Sequence, residues 1–218
     1  MKKIFFVAFM TFMAISTVNA QTSRKAVVKQ TKSELTAKAT KAARKEAKNL
    51  AKEGWQVAPG ALPLDKQLDK SYMMQYETDD NGYPKYLMGE AMSIGENYDA
   101  AKLQVLELAK QNLAGQIQTE VTALIENTVA NKQLEPEEAA SITKTVMASK
   151  NLISQSIGRV ITVVEVYRTL KNKNKEVLVR IAYNSDMAKR EILNALEKEL
   201  EQEGEDLHDK LEGILGLV

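Results

Sequence analysis

Two runs decide the fold: Val160-Ile161-Thr162-Val163-Val164-Glu165-Val166-Tyr167 and Val177-Leu178-Val179-Arg180-Ile181-Ala182-Tyr183, with the polar stretch Lys171-Asn172-Lys173-Asn174 between them. β-Branched runs around a short Asn-containing turn predict an antiparallel hairpin, with strands over Arg159–Leu170 and Lys175–Tyr183. The second run alternates, so Val177, Val179, Ile181 and Tyr183 share one face, and Leu178, Arg180 and Ala182 share the other. Downstream, Asn184-Ser185-Asp186 predicts the cap of a helix over Met187–Glu203, with Met187, Ile192, Leu196 and Leu200 as its stripe.

Upstream lie two predicted helices and a third strand. Asn97 predicts the cap of the longest helix, from Tyr98 to about Asn131. Its apolar positions Leu103, Leu106, Ala109, Leu113, Ile117, Val121, Leu124 and Ile125 recur at three and four. Pro136 sits where a first helical turn tolerates proline, and a second helix is expected from Glu137 to about Ser154, with Ile142, Val146, Met147 and Ile153 inward. Tyr83–Ile94 reads as a strand in which Leu87, Gly89, Ala91 and Ser93 alternate with Tyr86, Met88, Glu90, Met92 and Ile94. The order strand, long helix, helix, hairpin, helix predicts an α+β domain over 83–203. Its consecutive strands are expected to form a small antiparallel meander, with helices on one face.

The flanks differ in character. Ala- and Lys-rich residues 21–53 predict a basic helical arm, one helix from about Ser23 to Glu53, closed by Gly54. Residues 54–82 are a linker segment broken by Pro59, Gly60, Pro63 and Gly82, with Asp79-Asp80-Asn81-Gly82 as a turn and Leu64–Tyr76 as a short helix. Residues 204–218 form an acidic, apolar tail in which Gly204, Gly213 and Gly216 disfavour a long helix. The tail either folds back on its own domain or docks in a partner, steered by its acidic flank toward the basic arm.

Residues 1–20 carry the pattern of a cleaved export signal: Lys2-Lys3, an apolar run Ile4–Ile15, and Val18-Asn19-Ala20 at the peptidase site. The working chain is therefore expected in the periplasm or cell envelope, beginning at Gln21. No later run is long enough to span a bilayer as a helix. The sequence has no cysteine, so disulfides, thiolate metal sites and a lipid-modified N-terminal cysteine are excluded.

Three stretches resemble a known envelope family. They are the Gly-terminated strand Tyr86-Leu87-Met88-Gly89-Glu90-Ala91-Met92-Ser93-Ile94-Gly95, the alanine-punctuated helix from Ala100-Ala101 through Ala109 to Ala114-Gly115-Gln116-Ile117, and the hairpin ending in Val177–Tyr183. Together they resemble the twenty-kilodalton envelope lipoprotein family, whose fold also occurs as the N-terminal domain of flagellar assembly protein T. The resemblance covers a little over half the chain. It implies a role within an envelope assembly and carries over no catalytic residue. Gln21 stands where the lipoproteins have the acylated cysteine, so this chain would be a non-lipidated member.

Catalytic and cofactor signals are weak. His208 is the only histidine and lies in the acidic tail, with no Gly-x-Ser-x-Gly elbow in the sequence. No phosphate loop or EF-hand spacing occurs, and no cofactor or metal is expected. Glu90 and Glu165, both in predicted strands, are the carboxylates to inspect for paired-acid chemistry on a cell-wall or other glycan, with outward-facing strand residues as the alternative. The basic arm lacks interleaved aromatics, which argues against nucleic acid and leaves peripheral membrane contact open. Trp55, Tyr72, Tyr76 and Tyr83, with Leu211, Ile214 and Leu215 of the tail, are the candidate binding residues. The expected function is that of an exported, non-enzymatic envelope protein working through contacts with other envelope proteins or with itself, as in an assembly subunit. A glycan hydrolase and a membrane-surface binder are the alternatives. Intact-mass measurement on protein recovered from its native envelope is expected to give a chain starting at Gln21 without acyl groups; retention of residues 1–20 would refute the export reading.

Overall fold

The computed structural model describes residues 38–80, 82–131, 133–204 and 206–217; residues 1–20, read as an export signal, and residues 21–37 of the expected basic arm lie outside the described residues. Within Thr40–Val218 the fold is α+β. Its sheet has four antiparallel strands: β1 (Gln56–Val57), β2 (Tyr86–Gly95), β3 (Ile161–Thr169) and β4 (Lys175–Asn184), in the order β1-β3-β4-β2. The helices are α1 (Lys41–Lys52), α2 (Leu64–Tyr76), α3 (Tyr98–Ala130), α4 (Pro136–Ala148), α5 (Lys150–Ser156), α6 (Ser185–Glu203) and α7 (Leu207–Leu215).

The hairpin forms as read, but the meander does not. β4 sits between β3 and β2, pairing Gly89 with Ile181 on one side and Glu165 with Val179 on the other. The physical reason is burial. β4 is covered on both faces, with Val177, Val179, Ile181 and Tyr183 buried on one and Ala182 on the other, so its most stable place is the centre of the sheet. β1, inside the segment read as a linker, adds a short edge strand against Val166 and Tyr167.

α3 lies along β2. Asn97 caps it, its side-chain oxygen accepting from the Ala100 amide at 2.9 Å. A Cβ at Gly95 would lie 2.7 Å from the Ala101 amide nitrogen, and one at Gly89 would lie 2.4 Å from the Ala109 carbonyl oxygen. The six residue steps from Gly89 to Gly95 cover about 20 Å, and the twelve from Ala101 to Leu113 about 18 Å, so helix and strand run side by side over that length. The close approach also corrects the expected stripe. Ala101, Val105 and Ala109 face the sheet fully buried, while Leu103 is 70% exposed. A leucine cannot fit where the helix nearly touches the strand backbone.

Two further helix readings change. The single helix expected over Glu137–Ser154 is interrupted at Ser149, giving α4 and α5. The buried Gln118 amide donates to the Val146 and Met147 carbonyls, at 2.7 and 3.1 Å, taking the place of the next helical turn. Met147 is consequently exposed, as is Met187 at the start of α6, whose inward positions are Ala188, Ile192, Leu193, Leu196 and Leu200. At the other end, α1 starts at Lys41 rather than near Ser23. The Thr40 side chain accepts from the Ala43 amide, and the Thr40 amide donates to Asp69 on α2 at 3.0 Å, which turns the backbone out of helix.

The tail is part of the core. Leu207, Leu211 and Leu215 are buried against the same cluster as Ile117, Val121 and Leu196. Gly216, at φ +67°, ends α7 in the left-handed conformation that glycine adopts without strain. Among the described residues no helix is long and apolar enough to cross a membrane.

Gly89→Ala is expected to cost about 2–3 kcal/mol, at the upper end of overpacking penalties because the atom struck is backbone. Gly158→Ala, where a Cβ meets nothing within 4 Å, is the control and should change stability little. Urea unfolding of both variants checks this; equal stabilities would show that α3 can move off β2 freely.

Candidate functional site

The two edges of the sheet are treated differently. Beyond the short β1, the Glu165 amide on the outer edge of β3 donates to the Gln67 side chain at 2.8 Å. Gln67 is itself buried and fixed by donating to the Leu62 carbonyl at 2.7 Å. Next to it, the Arg168 guanidinium lies 4.5 Å above the Trp55 ring and pairs with Glu176 at 2.5 Å. That edge is therefore closed by α2, β1 and Trp55.

β2 has no strand on its outer side among the described residues. Its phase is fixed by Ser185, whose amide donates to the Lys85 carbonyl at 3.0 Å, making the odd-numbered residues of β2 the ones bonded to β4. The backbone groups of Met88, Glu90, Met92 and Ile94 then point away from the sheet. One of them is capped: Asn112 of α3 donates its side-chain amide to the Glu90 carbonyl at 2.7 Å. Among the described residues nothing caps Met92 or Ile94, and each is 51% exposed. Their side chains share a sheet face with Met88 and Glu90, beyond the area that α2 covers.

Under this face runs a polar tie. Arg180 bonds the Glu90 carboxylate through Nε at 2.6 Å and the buried Ser71 hydroxyl through its other arm at 2.9 Å, joining β4, β2 and α2. Beside it a cleft of about 540 Å³ lies between the β2 edge, α3 and Lys150.

Glu90 and Glu165 do not meet. Glu90 is opposite Arg180 and Glu165 opposite Val179, so they lie on opposite faces of the sheet. Glu165 pairs with Lys102 at 2.8 Å and accepts a hydrogen bond from Tyr98. Burial, and next that bond to the carboxylate, push the Tyr98 phenol above its ordinary range. The pair expected for glycan chemistry is therefore not assembled by this fold.

The candidate binding residues fall in separate places. Trp55 is buried beneath Arg168, and Tyr72 is half-buried and donates to Glu46 of α1. Tyr76 and Tyr83 are exposed. Tyr83, Ile214 and Leu215 line one hollow of about 240 Å³. Leu211 and Leu215 are packed in their own core, so of the two readings of the tail the fold has the one in which it folds back on its own domain, and burial there leaves these leucines unavailable as the partner-docking residues they were candidates for. His208 is half-buried, 3.7 Å from Asp209. Sequence reasoning missed Met92 and Ile94 as surface residues, because alternation does not say which face of a strand stays bare. No family model, curated protein or solved structure matches the chain.

Arg180→Leu is expected to destabilise by about 1–3 kcal/mol, since the buried Ser71 hydroxyl loses its partner. Glu90→Gln should cost no more than about 1 kcal/mol, because that carboxylate is nearly half exposed. Thermal unfolding of the two variants reads the difference; a larger loss in Glu90→Gln would reverse the assignment.

Proposed function

We propose that this chain is an exported protein of the cell envelope that works by binding another protein through the open end of β2. The single observation that carries the reading is the stretch Met92–Ile94, uncapped among the described residues and with two half-exposed apolar side chains, on a sheet whose other edge is closed. A bare strand edge pairs readily with an extended segment of another chain. The segment that fits is apolar at two alternate positions and carries a basic residue beside them. Glu96, with no cationic partner within 4 Å among the described residues, supplies the complementary charge. Pairing between two copies leaves that charge unmet. In the antiparallel register that sets Met92 against Ile94 of a second chain, each Glu96 faces a Glu90 whose carboxylate is already bonded to Arg180.

The export pattern of residues 1–20 and the resemblance to the envelope lipoprotein family support an envelope location and a place within an assembly. A photo-crosslinking residue at position 92, in cells that export the chain, is expected to yield an adduct with a different protein. The same residue at position 103, exposed on α3, should yield none of it. Adducts only between copies of the chain would replace the reading with self-association, and equal labelling from both positions would sink it.

A further inference from the structure

The cleft beside β2 has a floor that folding does not explain. Gly115 lies in the middle of the 33-residue α3, where glycine is less favourable than alanine. At Gly89 and Gly95 an added Cβ would strike backbone, so packing requires glycine there. At Gly115 it would meet only Lys150, the Nζ at 3.5 Å and the Cε at 3.6 Å, which are ordinary contacts. Packing therefore does not demand this glycine. What its missing side chain does is leave the wall of the cleft open directly under a lysine ammonium.

The charges around the cleft point to the kind of molecule that would enter. Glu90 and Arg180 bond each other, so their charges cancel. Lys150 has no carboxylate within 4 Å among the described residues, which leaves one positive charge facing the space. The neighbouring polar side chains, Gln75, Asn112 and Gln116, are neutral amides, each offering a donor and an acceptor in one plane. Asn112 spends one of its two N–H donors on the Glu90 carbonyl and keeps its oxygen. Hydroxyl groups both donate and accept, so adjacent hydroxyls match such amides, and Met88 gives an apolar surface for the C–H face of a ring. A volume of about 540 Å³ suits a small ligand of one or two rings.

We propose that this cleft binds a carboxylate-bearing saccharide, with Lys150 taking the carboxylate and the amides taking ring hydroxyls. The site is separate from the proposed edge pairing, and Met92→Lys, which blocks that pairing, should leave it intact. The shared chemistry occurs both in uronic acids and in the lactyl-bearing sugar of wall glycans, so glucuronate and N-acetylmuramate are the probes, with glucose and N-acetylglucosamine as neutral twins and N-acetylalanine as a carboxylate without a ring. Titration calorimetry on the intact mature chain is expected to show saturable binding of at least one acid, and which acid binds identifies the source. Its neutral twin should bind at least about 10-fold more weakly, the scale of one charge-assisted hydrogen bond. Lys150→Gln should remove that preference. Gly115→Ala should raise the melting temperature by about 2–4 °C while weakening the acid sugar. Equal binding of acid and neutral sugars, equal binding of N-acetylalanine, no saturation by either acid, or a lower melting temperature in Gly115→Ala would each overturn the proposal.

Discussion

The contact between α3 and the backbone of β2 organises the rest of the domain. With no side chain at Gly89 or Gly95, the helix settles against the strand at distances that no other residue permits. Once it lies there, Ala101, Val105 and Ala109 must face the sheet and Leu103 must face away. The same placement carries Leu113, Ile117, Val121 and Ile125 over β4 and toward α4, α6 and α7, where they form the main core. It also brings Gln118 to the end of α4, where its amide bonds two carbonyls and ends that helix. A small residue on a strand thus decides the course of a helix about 50 Å long and the break in another.

The second organising feature is the unequal treatment of the two sheet edges. α2 is fastened to the sheet by polar groups as well as by Leu68 and Met74: Gln67 reaches β3, and Ser71 reaches Arg180. These ties hold α2 over β3 and β4 and leave the β2 side uncovered. Open strand edges invite pairing and are usually blocked. Here Asn112 and the Glu90–Arg180 pair block one part, and among the described residues the next two outward positions stay bare. The cleft and the bare edge therefore adjoin at Glu90, yet Met92 serves only the edge and Lys150 only the cleft, so the two proposed contacts can be separated by substitution.

The sequence was most legible where local chemistry decides. The hairpin, the Asn97 and Asn184 caps, the short helix over Leu64–Tyr76 and the alternation along β4 follow from periodicity, capping oxygens and turn residues, and the fold has them. It was least legible where burial was shared among several elements. Met147, Met187 and Leu103 look like core residues because they are apolar at helical spacing, yet all three are exposed. Which apolar residue faces inward depends on how closely the neighbouring element approaches, and spacing along one helix holds no record of that distance. The tail was undecided for the same reason. Leu207, Leu211 and Leu215 fit a groove of this chain as well as a groove of another until the groove is seen.

By itself, then, the sequence determined the class of the fold, the hairpin and its faces, the starts of α2 and α3, and the absence of every function that needs cysteine. Each depends on residues close together in the chain. Only the tertiary structure decided the strand order, the separation of Glu90 from Glu165, the burial of Trp55, and the meeting of Gly115 with Lys150 beside a bare strand edge. Those depend on residues far apart in the chain. Their juxtaposition is fixed by which strand is covered on both faces and by where a helix can touch a strand that has no side chain in the way.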